Sequence, residues 1–409
     1  MTRASSRLTA ATTTVAPLSP LPPLNEPLAL LGGLSPDGFM RRHWQKKPLL
    51  IRQAIAGFQP LLSEAALFDL AAREEVESRL IVRDADSAAG RKVRRGAQRP
   101  SPWQLIHGPI GAADWPPRHQ PGWTFLVQGV DLHCDAVHAL MQRFRFLPDA
   151  RLDDVMISWA TRTGGVGPHF DSYDVFLLQA AGTRRWRIGR QADRSLQPDV
   201  PLKILSRFEP EEEHLLEPGD MLYLPPGWSH DGIAESDGCM TYSIGFRVPK
   251  RNDLMGEVLL RMTEAYEDDT LYKDAQQSAT SSPAAVPESL QAFAADALAR
   301  LAGDARSLAC ALGEVMTDPK PRVWFDEPET EWDGGAIRLD RRTRMMYDAH
   351  HVFINGDSFR ASGADARLMR RLADQRQLSD AHVRKASVQA QSLLAEWHAA
   401  GWLVALETD

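Results

Sequence analysis

The sequence predicts an α+β protein with a mainly β core, a barrel or double-sheet sandwich, followed by helices and a small mixed end. Three observations predict it. Residues 153–248 are short β-favouring runs cut by Gly/Pro turns, helical periodicity returns after about residue 250, and strands and helices alternate beyond about residue 320.

Composition sets the outer bounds. The 409 residues are 43% hydrophobic and 25% charged, with 28 Gly and 28 Pro, which excludes collagen, coiled-coil and low-complexity classes. The length suggests about two or three domains. A net charge of −7 excludes a chain that is basic throughout, so any nucleic-acid contact must be a local patch. No stretch approaches the roughly 18 apolar residues of a membrane span. Cys134, Cys239 and Cys310 lie far apart without a CxxC pair, which argues against a disulfide framework or structural zinc and for a reducing cytoplasm.

Residues 1–25 are rich in Ala, Thr, Ser, Leu and Pro, and read as a disordered extension. From Leu28 to Arg73 helical patterning alternates with breakers, and Ser35-Pro36-Asp37 predicts a helix start. Residues 91–99 (RKVRRGAQR) hold five cations and no acid, a solvated loop or an acceptor for acidic or RNA-bearing surfaces. The predicted strands are Val155–Ala160, Val175–Gln179, Arg185–Ile188, Met221–Leu224 and Met240–Val248. They place the barrel strands within 153–248, inside a first domain expected over 26–250.

Over 251–320, three apolar stripes predict three helices: Leu254/Val258/Leu259/Met262, Leu290/Phe293/Ala294/Ala297/Leu298/Leu301 and Leu308/Leu312/Val315. So small a bundle suits docking onto another chain. In 321–409, Trp324-Phe325, Ile337–Leu339 and His351–Ile354 read as strands, with a tight turn at Asn355-Gly356. Helices follow at about 364–374 and 380–399, the second capped by Ser379, and Trp402–Leu406 closes as a strand; the order fits a winged-helix-like domain.

The chemistry gathers around Gly164-Gly-Val-Gly-Pro-His169-Phe-Asp171 and Pro225-Pro-Gly-Trp-Ser-His230. Residues i and i+2 of a strand share a face, so His169 and Asp171 aim at one point. His230, on a later strand of the same sheet, completes a two-histidine, one-carboxylate set, the site type of non-haem Fe(II) oxygenases. H-x-D alone is a weak signal. The preceding glycines, the turn Glu217-Pro-Gly-Asp220 and the rigid exit Pro225-Pro-Gly give it a frame.

The segments GPHFDSYDVFLLQAAGTRRWRI and LEPGDMLYLPPGWSHDG resemble the JmjC-type, cupin-fold 2-oxoglutarate oxygenases, and within them the bacterial ribosomal oxygenases. The resemblance implies a double-stranded β-helix in which His169, Asp171 and His230 hold Fe(II). It implies 2-oxoglutarate as cosubstrate with O2, release of succinate and CO2, and hydroxylation of an arginine side chain in a large-subunit ribosomal protein. It also implies a helical dimerisation region, hence a homodimer, and a winged-helix end.

Arg184 matches the family's position for the distal carboxylate of the cosubstrate, and a guanidinium fork suits a carboxylate. Alternation puts Arg184, Trp186 and Ile188 on one face and Arg185 and Arg187 on the other. Ser158 and Ser243 match the polar lining, as cosubstrate donors or as barrel filling. For a substrate arginine the candidates are Asp154 and Tyr173, with Asp153 and Asp174 competing. Two other readings stand beside the oxygenase. One is a metal-binding cupin without oxygenase activity, which needs no cation at Arg184. The other is a ligand-sensing winged-helix regulator, against which the few cations of 380–399, Arg384 and Lys385, argue. The run Glu209, Glu211, Glu212 and Glu213 is either a solvated loop or an attractor of a basic partner.

Overall fold

The structure, a computed structural model, describes residues 21–83 and 101–406. Most of the N-terminal extension and the basic stretch 91–99 lie outside the described residues. The chain divides into two compact units, 1–247 and 248–409.

In the first unit the strands are β1 (Leu49–Ile51), β2 (Ser78–Arg83), β3 (Trp103–His107), β4 (Trp123–Val127), β5 (Leu152–Ala160), β6 (His169–Phe170), β7 (Asp174–Ala181), β8 (Arg184–Gly189), β9 (Glu212–Leu216), β10 (Met221–Leu224), β11 (Ser229–Ala234) and β12 (Cys239–Phe246). An eight-stranded sheet runs β1-β10-β7-β12-β5-β4-β2-β3, and a four-stranded sheet runs β6-β11-β8-β9. Every pairing is antiparallel. The five strands expected from the sequence are all present, within a few residues of their expected bounds. The turn at Glu217–Asp220 also forms: Asp220 accepts hydrogen bonds from the backbone N–H of Gln53 at 3.0 Å and of Glu217 at 3.2 Å.

The larger sheet has two chemically different faces, because alternate residues point opposite ways. One face presents Ile157, Trp159, Phe176, Leu178, Tyr223, Tyr242 and Phe246 to the N-terminal helices, in the main apolar core. Those helices are α1 (Pro36–Arg42), α2 (Glu64–Ala71) and α3 (Asp135–Gln142). As the sequence predicts, Ser35 caps α1, accepting from the Gly38 N–H at 3.1 Å, and Pro36 occupies the first turn. Phe39 of α1 then packs on Phe176 and Tyr223, with ring centroids 5.4 and 4.9 Å apart. The opposite face meets the small sheet through Val175, Leu177, Trp186, Ile188, Leu216, Leu222 and Leu224.

The second unit begins with α4 (Arg251–Glu264), α5 (Glu288–Gly303) and α6 (Ala305–Thr317). Val258, Met262, Leu301, Ala311 and Val315 form their small core. Most of the predicted stripe on α5 stays exposed: only Leu301 is buried, while Leu290 and Leu298 face solvent.

Two three-stranded sheets follow, β17-β13-β18 and β14-β15-β16. Their strands are β13 (Ile337–Leu339), β14 (Met345–Tyr347), β15 (His351–Ile354), β16 (Asp357–Arg360), β17 (Gln377–Leu378) and β18 (Leu403–Ala405). They pack with α7 (Gly363–Gln375), α8 (Asp380–Val383) and α9 (Val388–Ala399) around Ile337, Leu372, Leu394 and Trp397. Asn355 and Gly356, with φ of 48° and 91°, form the expected β15–β16 turn.

Two expectations fail here. Trp324-Phe325 forms no strand, and Trp324 is exposed, without an alternating partner to hold it in a ladder. The single helix over 380–399 is two, because Ser387 starts a new one by capping the Ala390 N–H at 3.1 Å. Ser379 caps only the short α8, and not through its side chain. Among the described residues no helix is long and apolar enough to cross a membrane, and all three cysteines are unpaired.

Candidate metal centre

His169 and His230 are direct cross-strand partners where β6 pairs with β11, and Asp171 follows β6 immediately. Their ligand atoms all lie within 4.8 Å of one another. Asp171 Oδ1 is 4.0 Å from His169 Nε2, and Oδ2 is 3.6 Å from His230 Nε2. The two imidazole centroids are 4.3 Å apart.

The backbone selects the tautomer. His169 Nδ1 lies 2.9 Å from the Gly167 carbonyl, and His230 Nδ1 lies 3.0 Å from the Trp228 carbonyl. A carbonyl only accepts, so each Nδ1 carries the proton and each Nε2 lone pair faces Asp171. This is the second-sphere arrangement that orients metal-ligating histidines. Burial, and then the neighbouring His169, push His230 down to about 4, so it is neutral at pH 7 and free to ligate. The donor set of two imidazoles, each presenting Nε2, and one carboxylate therefore fits a divalent first-row metal.

The glycines before His169 admit a close passage. A Cβ on Gly165 would lie 2.4 Å from the Gly232 carbonyl oxygen. Only glycine lets the chain reach β6 past β11 at that separation.

Arg184 follows the predicted alternation: Arg184, Trp186 and Ile188 are buried and Arg185 and Arg187 are not. In register, Arg184 pairs with Ala234, Trp186 with Gly232 and Ile188 with His230, so Arg184 lies on the same face of the small sheet as the metal ligand. Arg184 is 4% exposed, and its Nε and Nη2 have no hydrogen-bond partner. Its Cζ stands 5.8 Å from the Trp186 ring, which is itself 5.8 Å from the His230 ring. A buried cation with two unused donors is costly unless a ligand supplies acceptors. A carboxylate does, and the residues fit the distal end of a dicarboxylic acid anchored at the metal.

Ser158 and Ser243 are buried on paired strands β5 and β12, where Ser158 faces Thr241 and Ser243 faces Met156 and Leu177. Alternation against Ile157, Trp159, Tyr242 and Ile244 turns both toward the space between the sheets. The same parity separates the acids that the sequence leaves undecided. Asp154 points inward, buried, and accepts from Gln128 Nε2 at 2.8 Å and from the Gly129 N–H at 3.1 Å. Asp153 accepts instead from Arg247 Nε at 3.2 Å. Asp174 turns to the apolar core, where Tyr223 donates its hydroxyl at 2.6 Å and Arg151 lies at 3.1 Å.

Tyr173 is 40% exposed beside Asp171. Its phenol is raised by burial and then by the charges of Asp171 and Asp154, so it stays protonated and able to donate.

The glutamates of 209–213 are largely engaged with the chain's own groups. Glu213 pairs with Arg185 at 2.5 Å, Glu212 with His214 at 3.0 Å and Glu209 with Arg207, and Glu211 accepts from the Arg190 N–H at 2.9 Å. An apolar wall was not foreseen: Ile81, Trp103, Leu126 and Ile204, with Met156 and Val166 against them. Its members come from six separated segments, so no local spacing announces it.

Comparison with known proteins agrees with this geometry. Residues 139–254 match the JmjC domain and residues 300–404 the ROXA-like winged helix. The chain is 39% identical over 221 residues to the ribosomal protein uL16 3-hydroxylase of Escherichia coli, covering 54% of each chain. It is 32% identical over 225 residues to a probable ribosomal oxygenase of Haemophilus influenzae, covering 54% of this chain and 52% of that one. The aligned part thus spans about half the length of these curated relatives. The solved structure of YcfD, a ribosomal oxygenase from Escherichia coli, in complex with cobalt and 2-oxoglutarate, superposes with a TM-score of 0.72 at 28% identity. That match covers 90% of this chain and 97% of the other.

Proposed function

This chain belongs with the JmjC-domain ribosomal oxygenases, and from that premise we propose that it is an Fe(II)- and 2-oxoglutarate-dependent oxygenase that hydroxylates an arginine side chain of a large-subunit ribosomal protein. The observation that carries the reading is the pairing, inside one barrel, of three convergent ligands with a buried guanidinium that has unused donors.

In this reading His169, Asp171 and His230 would hold the metal. Bound Fe(II) would supply O2 activation coupled to decarboxylation of the cosubstrate, giving succinate, CO2 and a hydroxylated carbon. Arg184 takes the distal carboxylate, with Ser158 and Ser243 as further donors, and so fixes the direction from which the cosubstrate reaches the metal. Trp186 and Ile188 keep that path dry. Asp154 and Tyr173 receive the substrate arginine: the carboxylate pairs with the guanidinium, and the protonated phenol offers an aromatic face.

The homodimer and a cytoplasmic setting belong to the same reading. Met255, Leu260, Leu290, Leu298, Leu308 and Leu312 are large apolar side chains left exposed on α4–α6, more than a small bundle sustains without a second copy.

The test is incubation with Fe(II), 2-oxoglutarate, O2 and an arginine-containing peptide of a large-subunit ribosomal protein. The expected result is a +16 Da product that disappears in His169→Ala. Intact metal binding without 2-oxoglutarate turnover overturns it, as does turnover that Arg184→Ala leaves unchanged.

A further inference from the structure

β6 is a weak support for a metal centre. It has two residues, and it sits at the edge of the small sheet, paired only with β11. Two residues cannot form the ladder that normally holds a ligand strand, and an edge leaves one side of the backbone without a neighbour. That side is covered by the excursion 190–207 between β8 and β9. The excursion is an ordered hairpin of its own: Leu196 bridges Leu205, the Gln197 N–H donates to the Ile204 carbonyl at 2.8 Å, and the Ser206 N–H donates to the Ser195 carbonyl at 2.9 Å.

Its contacts converge on the ligand-bearing segments. The Leu205 N–H donates to the Pro168 carbonyl at 2.8 Å, one residue before His169. Arg194 places its guanidinium 4.7 Å from the ring of Phe170, which lies between His169 and Asp171, and its Nη2 donates to the Gly227 carbonyl at 3.2 Å. The Gly227 N–H in turn donates to the Asp171 carbonyl at 2.8 Å. Arg190 stands 5.2 Å from the ring of Trp228, whose carbonyl accepts the His230 Nδ1–H. Phe170 and Trp228 thus each carry a guanidinium from the same excursion, and Arg194 bridges the two segments that supply all three ligands.

We propose that the 190–207 excursion is a clamp for the metal centre and that Arg194 is its principal positioning residue. This rests on the reading of His169, Asp171 and His230 as metal ligands. Arg194 touches neither metal nor cosubstrate; it fixes the spacing of the 168–171 segment against 227–230. A cation over an aromatic ring together with one charge-assisted donor holds that spacing and resists its fluctuation.

The test measures Co(II) binding to the full chain by calorimetry and by the visible absorption of the bound ion, beside the thermal midpoint of the metal-free protein. Arg194→Ala is expected to weaken Co(II) by roughly fivefold and to alter the absorption bands, as expected for loss of a cation–π contact and a carbonyl contact. The metal-free midpoint should hold, because Arg194 is exposed. Arg194→Lys should restore most of the affinity. Arg207→Ala, which removes an exposed charge at the end of the excursion that pairs with Glu209, should leave affinity and spectrum at wild-type values.

An Arg194→Ala protein with wild-type affinity and spectrum overturns the clamp alone. So does a loss of affinity that follows an equal fall in the metal-free midpoint, or one that Arg207→Ala reproduces. A wild-type chain that binds no Co(II) overturns the metal-site reading itself, and the clamp with it.

Discussion

Arg184→Met should make the metal-free protein more stable while removing its hold on 2-oxoglutarate. Arg184 is buried at 4% exposure with Nε and Nη2 unpartnered. Each unsatisfied buried donor costs about 1–3 kcal/mol. Methionine keeps most of the apolar stem and removes both donors and the charge. Against that gain stands the interaction with Trp186 across 5.8 Å, worth about 0.5–1 kcal/mol. With two such donors the balance is a stabilisation of roughly 1–5 kcal/mol, or about 2–20 °C in the barrel's transition at 2–4 °C per kcal/mol. Losing one partner of a buried charge pair with the cosubstrate should cost about 2–5 kcal/mol, roughly 30- to 4,000-fold in Kd. Differential scanning calorimetry of the metal-free chain and titration of 2-oxoglutarate into the Co(II)-loaded chain measure the two effects. A lowered midpoint with unchanged 2-oxoglutarate affinity would refute the reasoning, since it would make Arg184 a structural residue.

Three further outcomes follow from the same geometry. In Gly232→Ala a Cβ would stand 2.6 Å from the Trp186 ring, which is pinned between Arg184 and His230; overpacking should cost about 1–3 kcal/mol and weaken 2-oxoglutarate binding, both read by denaturant titration with and without cosubstrate. His230→Ala should abolish Co(II) binding by calorimetry without unfolding the chain by circular dichroism, because imidazole removal also relieves a desolvated group. Asp220→Ala should destabilise the barrel by roughly 2–3 kcal/mol at pH 7 through lost hydrogen bonds to Gln53 and Glu217, with little from the largely exposed Arg52. Burial opposes the charge on Asp220, but the hydrogen bonds from Gln53, Arg52 and Glu217, with the Arg52 charge, together outweigh it and hold the carboxyl below 3.8. A depressed folded-state pKa gives stability that is present above 3.8 and lost as pH falls further, so wild type and variant should converge in acid-unfolding curves below that value.

What could be read from the sequence was what repeats locally. Period two placed His169 with Asp171 and put Arg184 on the buried face of β8, because a strand's geometry is set by its own residues. What could not be read depends on distant pairing. β4 is buried at every position, so it has no alternation to detect, and β2, β3 and β4 extend the large sheet unannounced. Asp153 and Asp154 are equivalent in sequence and separated only by the register of β5 with β12. The glutamates of 209–213 look like a free acidic run, yet Arg185, Arg190, Arg207 and His214 engage them. The break at Ser387 was visible only as a helix-capping residue inside an otherwise helical pattern.

The two faces of the large sheet explain how one barrel holds both a stable fold and a site with unused polar groups. On β5, Ile157 and Trp159 lie in the aromatic core beneath α1 and α2, while Ser158 between them faces the site. On β12, Tyr242 and Ile244 flank Ser243 in the same way, and on β7 Phe176 and Leu178 flank Leu177. Stability is thus concentrated on one face, where Phe39, Trp44, Phe176, Tyr223 and Phe246 interlock at centroid distances of 4.9–6.2 Å. Fully buried aromatic side chains contribute about 1.5–3 kcal/mol each, enough in sum to tolerate the uncompensated guanidinium on the other face. The strand pleat keeps the two sets apart while holding them one residue from each other. A register slip of one residue would exchange them, putting Ile157 in the site and Ser158 in the core. The ladder linking β5 and β12 is therefore under two constraints at once, and the site's geometry is inherited from the packing of a core it never touches.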